Sequence, residues 1–130
     1  MYMKNEKGET ELKQDRRSEL SMEFAIEIVK LSQMLENRRE YVLSRQIRKS
    51  GTSIGANVRE SRYAQSRADF VSKLQIALKE TAETDFWLEI LYRTNYISKS
   101  DYDRLYDSCR QILAILIKAI KTSIANGDSE

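Results

Sequence analysis

Apolar residues recur along most of this chain at alternating steps of three and four, the spacing of amphipathic helices. Phe24, Ile28, Leu31 and Leu35 form the first such stripe. They predict a helix from near Ser18 or Ser21 to near Asn37, with Glu23, Glu27 and Lys30 on its outer face. A second helix is predicted over residues 40–63. Wound at 100° per residue it brings Leu43, Ile47, Ile54 and Val58 within about 60° of one another, with Arg45, Arg48 and Arg59 roughly opposite. One helix thus carries both a core face and a cationic face. Ser66 followed by Asp69 is a capping box with aspartate in place of glutamate, and it opens a third helix striped by Phe70, Leu74, Ala77, Thr81, Leu88 and Leu91. Ser98 to Asp101 supplies the next cap, with Ile97 placed to close a hydrophobic staple. The last helix then carries Leu105, Cys109, Ile112, Leu116 and Ala119 on one stripe.

Leu113, Ile115, Ile117 and Ile120 extend the apolar surface of that last helix to its other sides. A helix apolar nearly all round must be buried nearly all round, which predicts a subunit interface beyond the core of a single chain. Residues 1–18 have little apolar content and no period, so they read as a flexible arm. Residues 19–125 form the helical domain, and residues 126–130 read as a stop and a frayed tail. Gly51 and Gly55 interrupt the second helix, each at a cost of about 1 kcal/mol relative to alanine. Close approach of a neighbouring backbone is one account, and a local break is the other. A long, slightly bent helix is the preferred expectation.

Composition narrows the class. A chain of 130 residues suits one domain. It has no proline and four glycines, so it lacks the turn punctuation that an all-β fold needs. The net charge of +2 is small, but it is unevenly spread. Residues 38–67 hold eight basic side chains against two acidic ones, which leaves that window at +6 and the remainder at −4. Glu80, Glu83, Asp85 and Glu89 make the middle of the third helix acidic, a counterpart for the basic second helix in the same or a neighbouring subunit. Trp87 lies off the third stripe, as a core edge or an interface anchor.

The single cysteine, Cys109, sits in an apolar pattern, as a buried small hydrophobe does. The cytoplasm is the expected compartment, because the first twenty residues are polar and mixed in charge, unlike a signal peptide. The longest apolar run, residues 112–117, is far too short to span a bilayer. Histidine is absent, which removes the commonest general base and metal ligand. Neither a thiolate zinc site nor a phosphate-cradling P-loop can be assembled, so no catalytic residue, metal or cofactor is expected.

The positive case is electrostatic. Residues 45–62 would span roughly 26 Å as a helix, enough to lie beside several phosphates. Arg45, Arg48, Lys49, Arg59 and Arg62 are the candidate nucleic-acid contacts, and the predominance of arginine suits bidentate phosphate recognition. Tyr41 and Tyr63, near the ends, are placed to stack on unpaired bases. The competing reading is a scaffold in which the same cations pair with the acidic third helix.

The segment QIRKSGTSIGANVRE at residues 46–60, followed by Ala64, Ser66, Asp69-Phe70, Lys73-Leu74, Ile76-Ala77, Lys79-Glu80 and Trp87-Leu88, resembles the four-helix bundle proteins encoded in intervening sequences of bacterial 23S rRNA genes. The likeness covers about residues 20–122. Many members carry proline where this chain has Gly55. The resemblance implies an all-α, up-and-down antiparallel four-helix bundle assembled as a ring-like homo-oligomer, commonly a pentamer. Similar proteins include the accessory subunit of diversity-generating retroelements, a basic ring that binds nucleic acid and a reverse transcriptase. RNA or DNA, a protein partner and further copies of the chain are therefore the expected partners. The resemblance marks Arg48, Ser53, Asn57 and Glu60 as characteristic polar positions, with Asn57 and Glu60 also placed for subunit or helix contacts.

Overall fold

The computed structural model describes residues 11–128, which form four helices in an all-α arrangement. These are α1 (Glu11–Asn37), α2 (Tyr41–Ser61), α3 (Arg67–Arg93) and α4 (Lys99–Asp128). Each packs on the next in sequence, and α1 also meets α4, at the most open of the four seams. The predicted stripes supply the shared core: Phe24, Ile28 and Leu35 from α1, Ile47, Ile54 and Val58 from α2, Phe70, Leu74, Ala77, Leu88 and Leu91 from α3, and Leu105, Cys109, Ile112 and Leu116 from α4. Leu31 and Leu43 pack against it part-buried.

Local chemistry explains the ends. The Ser66 hydroxyl accepts the Asp69 N–H at 3.1 Å, and the Asp69 carboxylate accepts the Gln65 N–H, so the shortened capping box closes one residue earlier than a glutamate version would. Ser98 caps α4 through the Asp101 N–H. The helices α1 and α3 terminate on Arg39 and Asn95, which adopt positive φ of 63° and 66°. The next N–H in each case, from Glu40 and Tyr96, returns to Leu35 and Leu91 carbonyls, the long bond of a Schellman turn.

Two boundaries differ from expectation. The first helix begins at Glu11 rather than near Ser18, so residues 11–17 of the expected arm are helical. These turns lack an apolar stripe, yet Arg17 is buried and its guanidinium lies 5.7 Å from the centroid of the Phe70 ring. The Arg17 side chain here does the covering that a leucine would do elsewhere. Residues 1–10 of that arm lie outside the described residues. At the other end, α4 continues past Ala125 to Asp128. Ser123 is buried, and its carbonyl accepts from the Arg67 guanidinium at 3.4 Å, which ties the last turns to the start of α3. Residues 129–130 of the expected tail are not among those described.

The helix α2 is unbroken through both glycines. A Cβ on Gly51 would stand 2.6 Å from Ile28 Cγ2, and one on Gly55 would stand 3.4 Å from the Ser21 carbonyl oxygen. Close approach of α1 therefore accounts for Gly51, while at Gly55 a Cβ would make an ordinary contact.

Candidate functional site

Arginine and lysine side chains on α2 sort themselves by angle. At 100° per residue, Tyr41, Arg45, Lys49, Thr52, Ala56 and Arg59 fall within about 80° of one another, on the side away from Ile47 and Ile54. Arg45, Lys49 and Arg59 are exposed, as is Arg62 just past the helix end. Among the described residues neither Arg45 nor Arg59 forms an ion pair. Their charges face solvent over about 21 Å of helix. Tyr41 and Tyr63, 54% and 79% exposed, flank this run and leave their ring faces accessible.

Arg48 is placed differently. It turns toward α1, where its Nε donates to the Ser32 hydroxyl at 2.7 Å and its Nη2 lies 3.3 Å from the Glu36 carboxylate. The Ser44 hydroxyl donates to the Ser32 carbonyl in the same cluster. Arg48 is thus a clasp between α1 and α2 whose side chain keeps 40% of its exposure. The other polar positions singled out by the resemblance also make contacts within the chain. Asn57 Nδ2 donates to the Ser53 carbonyl and hydroxyl, and Glu60 lies 3.6 Å from Lys73 of α3.

The acidic middle of α3 mostly finds partners away from the arginines of α2. Asp85 pairs with Arg110 of α4, and Glu89 with Arg93 on its own helix. The Glu60–Lys73 pair runs between α2 and α3 with the opposite polarity to the one expected from the charge pattern. Lys49 is the exception, since its charge acts on Glu80. Partial burial, then repulsion from Glu83, raises the Glu80 carboxyl above its ordinary range, and Lys49 and Lys79 pull it back only in part. Trp87 is part-buried against the core with the Phe86 ring edge-on at 5.1 Å, which makes it a core edge.

Sequence reasoning placed Thr81 on the α3 stripe but missed the rest of a layer of buried hydroxyls between helices. Ser50 of α2 and Thr84 of α3 meet at 2.8 Å, and Ser61 and Thr81 return their protons to carbonyls of their own helices. Their only sequence signal is a small polar residue at a core-facing helical position. It also missed the cross-helix pair of Arg104 with Glu27, between α4 and α1. Among the described residues no cluster of three potential metal ligands exists, and no helix is long and apolar enough to cross a membrane.

With this geometry established, similarity to known proteins can be placed. The family model described as 23S rRNA-intervening sequence protein matches residues 15–118. A solved crystal structure from Bacteroides thetaiotaomicron, of a protein of unknown function from the S23 ribosomal protein family, superposes with a TM-score of 0.81 at 49% sequence identity. The match covers 84% of this chain and 98% of that one. No curated protein matches the chain.

Proposed function

This chain belongs to the 23S rRNA-intervening sequence protein family, and from that premise we propose that it is a non-enzymatic, oligomeric nucleic-acid-binding protein of the cytoplasm, with RNA as its favoured ligand. The observation that carries this reading is the outer face of α2, where Arg45, Lys49 and Arg59 stand exposed on one side. Arg62 extends that face past the helix end, and Arg48 borders it from the clasp with α1. Contacts of this kind go to the phosphate backbone, with Tyr41 and Tyr63 supplying sequence-tolerant stacking. Each neutralised phosphate releases counterions, so affinity falls steeply with salt.

In the same reading the four helices run up and down in antiparallel order, joined by the short connections 38–40, 62–66 and 94–98, and copies close into a ring, with the resemblance favouring a pentamer. Exposed apolar residues on two separate helices support self-association: Met22 and Ile26 on α1, Ile117 and Ile124 on α4. A second reading, a scaffold whose basic α2 meets the acidic α3 of another subunit or of a protein partner such as a reverse transcriptase, draws support from Glu83, which is exposed beside Glu80.

Arg45→Glu combined with Arg59→Glu separates the two. Among the described residues neither forms an ion pair, so the fold tolerates their reversal, whereas reversal of Arg48 would set a carboxylate against Glu36. Loss of the RNA gel shift at low salt with an unchanged elution volume is expected. Dissolution of the oligomer would favour the scaffold, and an undiminished shift would dismiss this face as the binding surface.

A further inference from the structure

A glycine inside an unbroken helix is disfavoured relative to alanine, and the two in α2 differ in what excuses them. Gly51 makes room for Ile28. A Cβ on Gly55 would make only ordinary contact with Ser21, so packing among the described residues does not require glycine there. What that Cβ would change is the floor of a groove. Between α1 and α2 lies an open cleft of about 360 Å³, walled by Ser18, Ser21 and Ala25 on one side and by Thr52, Gly55 and Arg59 on the other. Its volume falls within the roughly 300–1,000 Å³ of small-ligand clefts. Met22 separates it from a second hollow along Ile26, Val29 and Gln33, where the apolar subunit contact of α1 would sit.

The walls differ in how their polar atoms are satisfied. The Ser21 and Thr52 hydroxyls donate to the Arg17 and Arg48 carbonyls of their own helices, at 2.8 and 2.7 Å. The Ser18 hydroxyl is buried and has no hydrogen-bond partner among the described residues, an unsatisfied polar atom at the groove wall. Arg59 is exposed at the rim and forms no ion pair among the described residues. Thr52, Ala56 and Arg59, all in the lining, belong with Arg45 to the cationic face of α2. Glu60, the acidic residue of the lining, has its carboxylate 3.6 Å from Lys73 of α3. The groove therefore opens beside cations suited to a phosphodiester, and its glycine floor lets a flat ring approach the helix backbone closely.

We propose that the α1–α2 groove receives an unstacked nucleobase of the strand whose phosphates Arg45 and Arg59 hold, which makes the ligand single-stranded. This inference rests on the nucleic-acid reading of α2 and names the class of strand that face takes. A base inside a duplex is paired and stacked, and it cannot enter without the cost of flipping out. The Ser18 hydroxyl, able to donate or accept, then meets the polar edge of the base.

The test compares, by anisotropy across a salt series, binding of a fluorescein-labelled 20-nucleotide oligouridylate and of a labelled 20-base-pair RNA duplex to the full chain. Gly55→Leu places a side chain on the groove floor and leaves the net charge unchanged. It is expected to bind the single strand about tenfold more weakly and the duplex within about twofold of the wild type. The salt slope is expected to stay the same, because no phosphate contact is lost. Gly55→Ala is expected to show the same selective loss on a smaller scale, about threefold, and it replaces the leucine variant should circular dichroism show a disturbed fold. A single-strand affinity that is unchanged, or that falls only as far as the duplex affinity, overturns the inference. So does a shifted elution volume for the leucine variant, which would mean that a neighbouring copy fills the groove. Arg45→Glu with Arg59→Glu is the parallel arm and is expected to weaken both ligands. If it does so while the Gly55 variants behave as wild type, the α2 reading stands without the groove. If it weakens neither, the α2 reading falls and the inference falls with it.

Discussion

A methyl group added at Gly51 and one added at Gly55 meet opposite fates, although the two residues sit four apart on one helix. At Gly51 the new carbon would stand 2.6 Å from Cγ2 and 2.9 Å from Cγ1 of Ile28, a fully buried β-branched side chain with little rotamer freedom. Gly51→Ala is therefore expected to destabilise the protein by about 1–3 kcal/mol, the overpacking cost outweighing the roughly 1 kcal/mol gained in helix propensity. At Gly55 the nearest atom is the Ser21 carbonyl oxygen at 3.4 Å, an ordinary contact. Gly55→Ala should leave stability unchanged or raise it by up to about 1 kcal/mol. Urea melts of the two variants test the contrast, and equal effects would refute it. Cys109 offers a second test at this scale. Burial, reinforced by Asp85 and only partly offset by Arg110, pushes its thiol up to about 12 from an ordinary 9.0. Between those values the unfolded chain releases this proton and the folded chain holds it. The stability tied to Cys109 is therefore intact below pH 9 and is lost as pH rises, by about 1.4 kcal/mol per pH unit. The stability gap between the wild type and Cys109→Ala should narrow by about 1 kcal/mol from pH 9 to pH 10, while at neutral pH a thiol reagent should modify Cys109 only under unfolding conditions.

Helix identity was legible because each stripe keeps a 3.6-residue period over many turns, and the Ser66 and Ser98 caps follow a local rule that tertiary contacts do not override. The end of α1 near Asn37 was legible too, but the left-handed turns that follow α1 and α3 were not. The turn at Arg39 takes positive φ without the glycine that announces such a turn, and only the packing of α1 against α2 shows that the chain must reverse there. Arg39→Gly should therefore stabilise the protein by about 1 kcal/mol by removing the Cβ penalty of the left-handed conformation. A fall in the melting temperature would contradict this. The start of α1 escaped notice for a related reason, since its buried anchor is Arg17, over the Phe70 ring, which a hydrophobicity pattern counts as polar. The candidate site was legible in part. Helical angle put Arg45, Arg48 and Arg59 on one face, but it could not show that Arg48 leans toward Glu36 and Ser32, because that depends on which neighbour α1 presents at its level.

At the scale of the whole molecule, the two exposed apolar patches differ in place and in charge. On α1, Met22 and Ile26 are 44% and 47% exposed and share their side with Glu19, Glu23 and Lys30. On α4, Ile117 and Ile124 are 39% and 45% exposed and share theirs with Lys121. A two-fold contact would set each patch on its own copy, whereas a head-to-tail contact sets the α1 patch of one copy on the α4 patch of the next. Repeated head-to-tail contacts close into a ring when the rotation per copy permits. Met22→Glu with Ile26→Glu should break one half of every contact, and Ile117→Glu with Ile124→Glu the other half, so each variant alone should run as a helical monomer by light scattering. Mixing them distinguishes the two geometries. In a head-to-tail assembly each variant still owns one intact face, and the two faces are complementary, so the mixture should form a dimer that cannot grow. In a two-fold assembly built on either patch, one variant alone would retain its oligomer and mixing would add nothing. A mixture that stays monomeric while the wild type is oligomeric would place the interface elsewhere on the chain.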